Sequence, residues 1–201
     1  ETSLAYDVDL SDLASPHADL LVSHTNHASP DVPCIQWDDE GMITDERDYP
    51  IDRCYWDYMR VYAPAGSRLV SSTPQAIPEA WMILNKHVEP RVDALEEENP
   101  GLSGFGTLIV VKGGQTVNTG MGLELPASTI LTRSADGAWT YELTVRKQPG
   151  TVAVPITVRV HLPPGSTVES PATNWVLDGR NILVEADLRL DLHLVVVFRA
   201  P

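Results

Sequence analysis

The sequence has few positive charges, no long apolar segment and only two cysteines. Its 14 lysine and arginine residues stand against 28 acidic residues, so the formal net charge is −14. An acidic surface of this size repels phosphate groups, and we therefore expect no nucleic-acid partner. No apolar run approaches the ~20 residues of a membrane-spanning helix, and no segment typical of a secretion signal opens the chain. We expect no membrane contact by this chain itself.

Long helices are not expected either, because 16 prolines and 13 glycines are spread along the sequence. Proline removes a helical hydrogen bond and glycine weakens a helix. The C-terminal half instead alternates between apolar and polar residues over 139–147 and again over 156–162, with the period of half-buried strands. Because Pro149-Gly150 forms a turn signal between the two runs, we predict that they are neighbouring antiparallel strands.

Further segments show the same character along the chain. Strands are predicted over residues 4–10, 18–25, 58–62 and 108–111. A further strand over 190–198 is apolar on both faces near its end, which predicts that it is central in its sheet or covered by another element. Asp178-Gly179 predicts a hairpin between 175–177 and 182–184, with a loop longer than two residues. Residues 75–99 are predicted as a short helical or irregular insertion, with a helix over 79–88 that continues over 92–98 after Pro90 if the segment is helical. The fold class is therefore mostly β: one antiparallel β-sandwich domain over 1–201, Ig-like or jelly-roll-like.

The two cysteines, Cys34 and Cys54, flank an acidic segment rich in turn-forming residues. A disulfide between them would close a loop of about 20 residues and contribute roughly 3 kcal/mol. CxxC spacing is absent, which disfavours a metal site built on thiolates. The alternative is a pair of reduced, buried cysteines in a cytosolic protein. We favour the disulfide, which predicts an extracellular or cell-surface location.

The acidic segment within that loop is the best candidate for binding an ion. Ca²⁺ takes six to eight oxygen ligands and accepts irregular loops. The spacing of an EF-hand is missing, so a solvated loop is the alternative, and no other cofactor is expected. The candidate calcium ligands are Asp38, Asp39, Glu40, Asp45 and Asp48. His24 and His27 are weaker metal candidates, because residues three apart on a strand face opposite sides.

Carbohydrate binding would require exposed aromatic side chains. Trp37, Trp56 and Trp81 lie in irregular sequence and are the candidates, whereas Trp139 lies on an apolar strand face and is predicted to be core. Enzymatic activity has weaker support. Residues 101–104 only loosely resemble the turn that holds a serine nucleophile, and a glycosidase needs two carboxylates whose separation the sequence does not give. We therefore predict that the chain is not an enzyme.

Four segments together resemble the C-terminal region of a bacterial family, the domain of unknown function numbered 4012. These are YWDYMRVYAPAGSRLV (55–70), FGTLIVVKGGQTV (105–117), LELPAS (123–128) and YELTVRKQPGTVAVPITVRVHLPPGSTV (141–168). Residues 147–150 match the Lys-Gln-Pro-Gly pattern fully, whereas residues 123–126 lack the expected tyrosine. The resemblance implies a protein anchored in the membrane with most of its chain outside the cytoplasm, and it assigns no catalytic residue. It also implies that this chain is a C-terminal fragment or a processed product.

These observations lead to one hypothesis and one alternative. The hypothesis is a non-enzymatic, extracellular structural or interaction module of a bacterial cell-surface protein, acting in a surface assembly with other surface proteins or copies of itself. Exposed strand edges would allow a neighbour to add a strand. The alternative is a carbohydrate-binding module that uses exposed tryptophans. A glycoside hydrolase is a third possibility with less support.

Overall fold

The structure, a computed structural model, describes residues 1–31, 34, 54–97, 99–170 and 175–201. The described chain is mostly strand, which confirms the predicted fold class. In chain order the strands are Thr2–Asp9 (β1), His17–Thr25 (β2), Tyr55–Pro64 (β3), Arg68–Thr73 (β4), Asp93–Leu95 (β5), Leu102–Val111 (β6), Thr116–Glu124 (β7), Leu131–Arg133 (β8), Trp139–Val145 (β9), Val154–His161 (β10), Thr167–Val168 (β11), Val176–Asp178 (β12), Asn181–Leu188 (β13) and Leu192–Arg199 (β14). A short helix, Ala127–Ile130 (α1), precedes β8.

The strands of the described residues form three sheets. The largest has seven strands in the order β12-β13-β10-β1-β2-β7-β4, the second has four in the order β11-β14-β9-β8, and the third has three in the order β3-β6-β5. The strand pairs are antiparallel except for β1 and β10, which run parallel in the middle of the seven-stranded sheet. This pair joins the two halves of the chain, because β1 comes from its beginning and β10 from its last quarter.

The prediction that 139–147 and 156–162 are neighbouring strands is wrong. β9 belongs to the four-stranded sheet and β10 to the seven-stranded sheet, so the chain crosses between layers in the turn that joins them. Lys147 holds this turn, because its ammonium group donates to the carbonyl oxygens of Gln148 and Thr151 at 2.8 and 2.7 Å. Gly150 has φ +81°, which favours glycine. The Lys-Gln-Pro-Gly motif is thus a crossover turn.

The predicted hairpin after 175–177 is confirmed, but its loop is shorter than predicted. Asp178 and Asn181 are paired directly, so Gly179 and Arg180 form a two-residue loop. Gly179 has φ +61°, as tight hairpin turns require.

The insertion over 75–99 is irregular, with single 3-10 turns at Glu79–Trp81 and Ile83–Asn85. The helix proposed over 92–98 is wrong. Asp93–Leu95 is β5, whose residues pair with Gly104–Gly106 of β6. Pairing with β6 therefore stabilises the extended conformation of a segment whose own sequence also suits a helix.

The main core lies between the seven-stranded sheet and the two smaller sheets. Val8, Val158 and Val160 of the large sheet are fully buried, and they belong to the same cluster as Val196 and Phe198 of β14. β14 lies between β11 and β9, which confirms the prediction of a strand with neighbours on both sides. Its alternate residues Leu194, Val196 and Phe198 are at most 1% exposed.

Two tyrosines meet at this core. Tyr6 of β1 is half-buried against it, and Tyr141 of β9 is fully buried within it. Burial raises the pKa of Tyr6 to about 12, and burial next to Tyr6 raises the pKa of Tyr141 as well. Both phenols therefore stay neutral in the folded chain.

Candidate functional site

The most exposed aromatic side chains of the described chain are tyrosines on β3. Tyr58 is 39% and Tyr62 46% exposed, and both project from the outer face of the three-stranded sheet with Arg60 between them. Met59 and Ala63 alternate with them and are buried on the inner face. The period of the strand therefore places two aromatic rings and one guanidinium on the same surface. We call this surface, defined by Tyr58, Arg60 and Tyr62, the tyrosine face.

Glycine at position 106 allows the Tyr58 ring to lie across the sheet. A Cβ atom on Gly106 would lie 2.6 Å from Tyr58 Cε1 and 2.7 Å from its hydroxyl oxygen, so the ring occupies the space above this glycine. The Tyr58 hydroxyl donates to Asp93 Oδ2 of β5 at 3.1 Å. The ring thus reaches from β3 over β6 to β5, where it is held at its far end.

The charges around Tyr58 favour this arrangement. The Arg91 Nε donates to Asp93 Oδ1 at 2.6 Å, and this hydrogen bond holds the pKa of the Asp93 carboxyl below its usual value. Loss of water around the ring and the bond to Asp93 raise the pKa of Tyr58. Asp93 is therefore ionised and Tyr58 neutral at pH 7, so Tyr58 is the donor.

Arg60 and Glu97 complete the tyrosine face with one charge of each sign. The Arg60 Cζ atom lies 5.9 Å from the centroid of the Tyr58 ring. Within the part of the chain that the structure describes, Arg60 forms no ion pair. The Glu97 side chain lies over Gly104, the cross-strand partner of Tyr62, where a Cβ atom would lie 2.9 Å from Glu97 Cγ. Exposed aromatic rings beside a guanidinium and a carboxylate can bind a ligand by stacking and by hydrogen bonding.

Substitution of two glycines tests this geometry. Gly106→Ala should leave the fold nearly as stable as before, because the added methyl group displaces the exposed Tyr58 ring into solvent, and the Tyr58–Asp93 hydrogen bond should be lost. Gly113→Ala should destabilise by about 1–3 kcal/mol, because its Cβ would lie 2.8 Å from the Ser29 carbonyl carbon and 2.9 Å from the Ala28 oxygen. Thermal melts and the NMR signals of the Tyr58 ring provide the measurement. Equal destabilisation by both changes would contradict the account.

The predicted cysteine pair forms a disulfide between Cys34 and Cys54, and both residues are buried. The disulfide belongs to a second, smaller core with Ile77 and Val110. Trp56 and Trp81, two predicted sugar-binding residues, are half-buried against this cluster. They anchor the insertion over 75–99 to the disulfide, whereas the exposed rings on β3 belong to tyrosines.

Other predicted site residues fall elsewhere. Trp37 and the calcium candidates, Asp38, Asp39, Glu40, Asp45 and Asp48, lie outside the described residues. His24 and His27 do not come together: His24 is buried, while the exposed His27 pairs with Glu1 at 3.0 Å. Among the described residues no group of three histidine, cysteine or acidic side chains has the geometry to hold a metal ion.

His24 lies where the seven-stranded sheet meets β3. It is 6% exposed, its Nδ1 has no hydrogen-bond partner within the described part of the chain, and its ring stacks on Tyr55 with centroids 5.9 Å apart. Burial lowers the pKa of His24, an effect that the Asp57 carboxylate partly opposes and the amino group of Glu1 reinforces. A protonated His24 is therefore disfavoured in the folded chain.

The pH dependence of stability follows from this lowered pKa. Between the unfolded value of about 6.5 and the lower folded value, the unfolded chain binds more protons, so the free energy of unfolding falls as the pH falls through this window. Urea unfolding of the natural chain should show this loss, and His24→Gln should reduce it, whereas His193→Gln at an exposed position should not. An unchanged profile in the His24 variant would contradict the assignment. Carboxylates such as Asp136, whose pKa is lowered to about 2, change the free energy of unfolding only in more acidic solution.

A second histidine lies on the outer face of the seven-stranded sheet. The His161 Nε2 lies 2.6 Å from Asp7 Oδ1 and its Nδ1 lies 2.7 Å from Asn181 Oδ1. This cluster joins β1, β10 and β13 across the sheet.

The tyrosine face was not predicted from the sequence, where the candidates for an exposed aromatic surface were tryptophans. A signal was present in the alternation of Tyr58, Arg60 and Tyr62 and in the glycines at 104 and 106. Only the pairing of Arg60 with Gly106 shows that this glycine lies beneath the Tyr58 ring.

Comparison with known proteins identifies no family for this chain. No family model matches the chain, and no curated protein does. Among solved structures, the M1 zinc metallopeptidase from Deinococcus radiodurans is 11% identical with a TM-score of 0.39, and a mutant of that enzyme is 10% identical with the same TM-score. Each likeness covers 100% of this chain and 43% of the other, so the chain spans less than half the length of these proteins. At such scores the likeness supports no conclusion about activity. No helix of the described residues is long and apolar enough to cross a membrane.

Proposed function

We propose that this chain is a non-enzymatic interaction module of a bacterial cell-surface protein and that it acts outside the cell. The observation that carries the proposal is the free edge of β3. This strand has ten residues and, in the described chain, pairs only with β6. A long strand with one unpaired edge offers backbone donors and acceptors to a strand of another surface protein or of a second copy.

Two further observations support a location outside the cell. The buried Cys34–Cys54 disulfide is the type of bond that persists in oxidising surroundings, outside the cytosol. The resemblance to the domain-of-unknown-function 4012 family, which spans roughly residues 1–200 and has its motifs within 55–168, points in the same direction, and we propose membership of that family on those motifs. The Lys-Gln-Pro-Gly segment is one of these motifs and forms the crossover turn.

Proline substitution on β3 tests the proposed edge. Adjacent residues of a strand direct their N–H groups to opposite sides, so one of Val61→Pro and Tyr62→Pro removes a bond to β6 and the other removes a donor from the free edge. Only the variant that loses a donor from the free edge should keep the natural melting temperature. We expect the natural chain to self-associate in sedimentation velocity, or to crosslink to other surface proteins on cells, and the folded proline variant to do neither. Association that survives in that variant would contradict the proposal.

Carbohydrate binding is the second candidate function, and the tyrosine face favours it. The Tyr58 ring lies over Gly106 and is held at its hydroxyl, so its outer side offers the apolar surface on which a sugar ring stacks. A glycan array probed with the natural chain and with Tyr58→Ala tests this candidate. Tyr55→Ala is a matched control, because Tyr55 has similar exposure but lies on the opposite face of β3. Glycan signals lost in both variants alike, or kept in both, would exclude the tyrosine face as their source.

A further inference from the structure

We propose that the tyrosine face binds an acidic saccharide, with a sugar ring on Tyr58 and the sugar's carboxylate on Arg60. This inference rests on the carbohydrate-binding candidate and names the class of sugar that the site would take. It depends on three features: a fixed aromatic surface, an arginine without a carboxylate partner, and a carboxylate at the other end of the face.

The aromatic surface is preorganised. Gly106 lies beneath the Tyr58 ring and Asp93 accepts the hydrogen bond of its hydroxyl, so the ring has little freedom to lose when a ligand binds. Binding to groups that are already ordered avoids the usual cost of immobilising a side chain. The outer side of the ring remains accessible, since Tyr58 is 39% exposed.

The charge of Arg60 determines which sugar fits. The positive charge of Arg91 is offset by Asp93, whereas Arg60 has no carboxylate within ion-pair distance among the described residues. Its Cζ lies 5.9 Å from the ring centroid, close to the outer limit of a cation–π contact, so the guanidinium stands beside the position of a stacked sugar. A guanidinium binds a carboxylate through two parallel hydrogen bonds.

The net charge of −14 does not exclude an acidic ligand. At physiological ionic strength, exposed charges farther than about 8 Å are largely screened, so the charges next to the ligand dominate. Glu97 is the local acid that has no cationic partner among the described residues. It lies over Gly104, two residues along β6 from Gly106, which corresponds to roughly 7 Å along the strand. This places the sugar's carboxylate at Arg60 and its hydroxyl groups at Glu97.

Calorimetric titration with two matched probes tests the proposal. Tetragalacturonate and galactotetraose differ in the carboxylates, and a chelator removes any contribution of Ca²⁺. The natural chain should bind tetragalacturonate at least about tenfold more tightly than galactotetraose. Tyr58→Ala should abolish binding of both, Tyr58→Phe should retain much of it, and Arg60→Gln should remove the preference for the acidic probe. Arg189→Gln is the control, because Arg189 is another exposed arginine. Circular dichroism and thermal melts establish that each variant is folded.

The outcomes distinguish the preference for an acidic saccharide from carbohydrate binding as such. Binding of both probes with equal affinity, dependent on Tyr58 and indifferent to Arg60, would overturn the acidic saccharide and leave the carbohydrate-binding candidate in place. Binding of neither probe at millimolar concentration, or binding that survives Tyr58→Ala, would overturn both. The proposed association through the edge of β3 is independent of these results.

Discussion

Replacing Cys34 and Cys54 together by serine is expected to lower the free energy of unfolding by about 3 kcal/mol, the value for a disulfide that closes a loop of this length. The bond constrains the unfolded chain, and it also stands at the centre of the smaller core with Ile77 and Val110. Urea unfolding of the natural chain and the double variant, monitored by tryptophan fluorescence, gives the difference.

Treatment with reductant is the control for this prediction. It should destabilise the natural chain by a similar amount and leave the double variant unchanged, because only the former has a bond to reduce. The loss of order should be concentrated near the disulfide, so hydrogen exchange should accelerate first at the start of β3 and over residues 75–85. A double variant as stable as the natural chain would contradict the structural role of the disulfide.

Replacing Phe198 by alanine is expected to destabilise the chain by about 3–5 kcal/mol, the usual cost of removing a large aromatic side chain from a core. Phe198 is 0% exposed and belongs to the main core between the sheets. Val195 provides the matched control, because it lies on the other face of β14 and is 37% exposed. Val195→Ala should cost less than about 1 kcal/mol. Similar losses in the two variants would mean that β14 does not face the core as described.

The strands and their buried faces were predictable where the sequence alternates. The run from Leu190 to Phe198 indicated a strand with neighbours on both sides, and β14 has them. Asp178-Gly179 likewise indicated the hairpin, since few residues other than glycine adopt the positive φ of its turn. In both cases the signal lies within a few residues of the structure that it predicts.

Long-range arrangement was not predictable by the same means. Nothing in 139–147 or 156–162 indicates that the turn at Lys147 crosses between sheets, because an alternating strand fits into either sheet. The parallel pairing of β1 with β10 joins segments that are distant in sequence. The tyrosine face depends on such pairing as well, since Tyr58, Gly106 and Asp93 come from three strands. Local patterns therefore identified the elements, and their partners positioned the site.

The most direct test of the central claim, that this chain is a disulfide-bonded module acting outside the cell, is made on intact bacteria that carry the natural full-length protein. An antibody raised against the folded chain is applied before and after permeabilisation, and the cysteines are alkylated with and without prior reduction. The account predicts that the antibody labels intact cells and that Cys34 and Cys54 are alkylated only after reduction. Labelling that requires permeabilisation, together with cysteines that react without reductant, would contradict it.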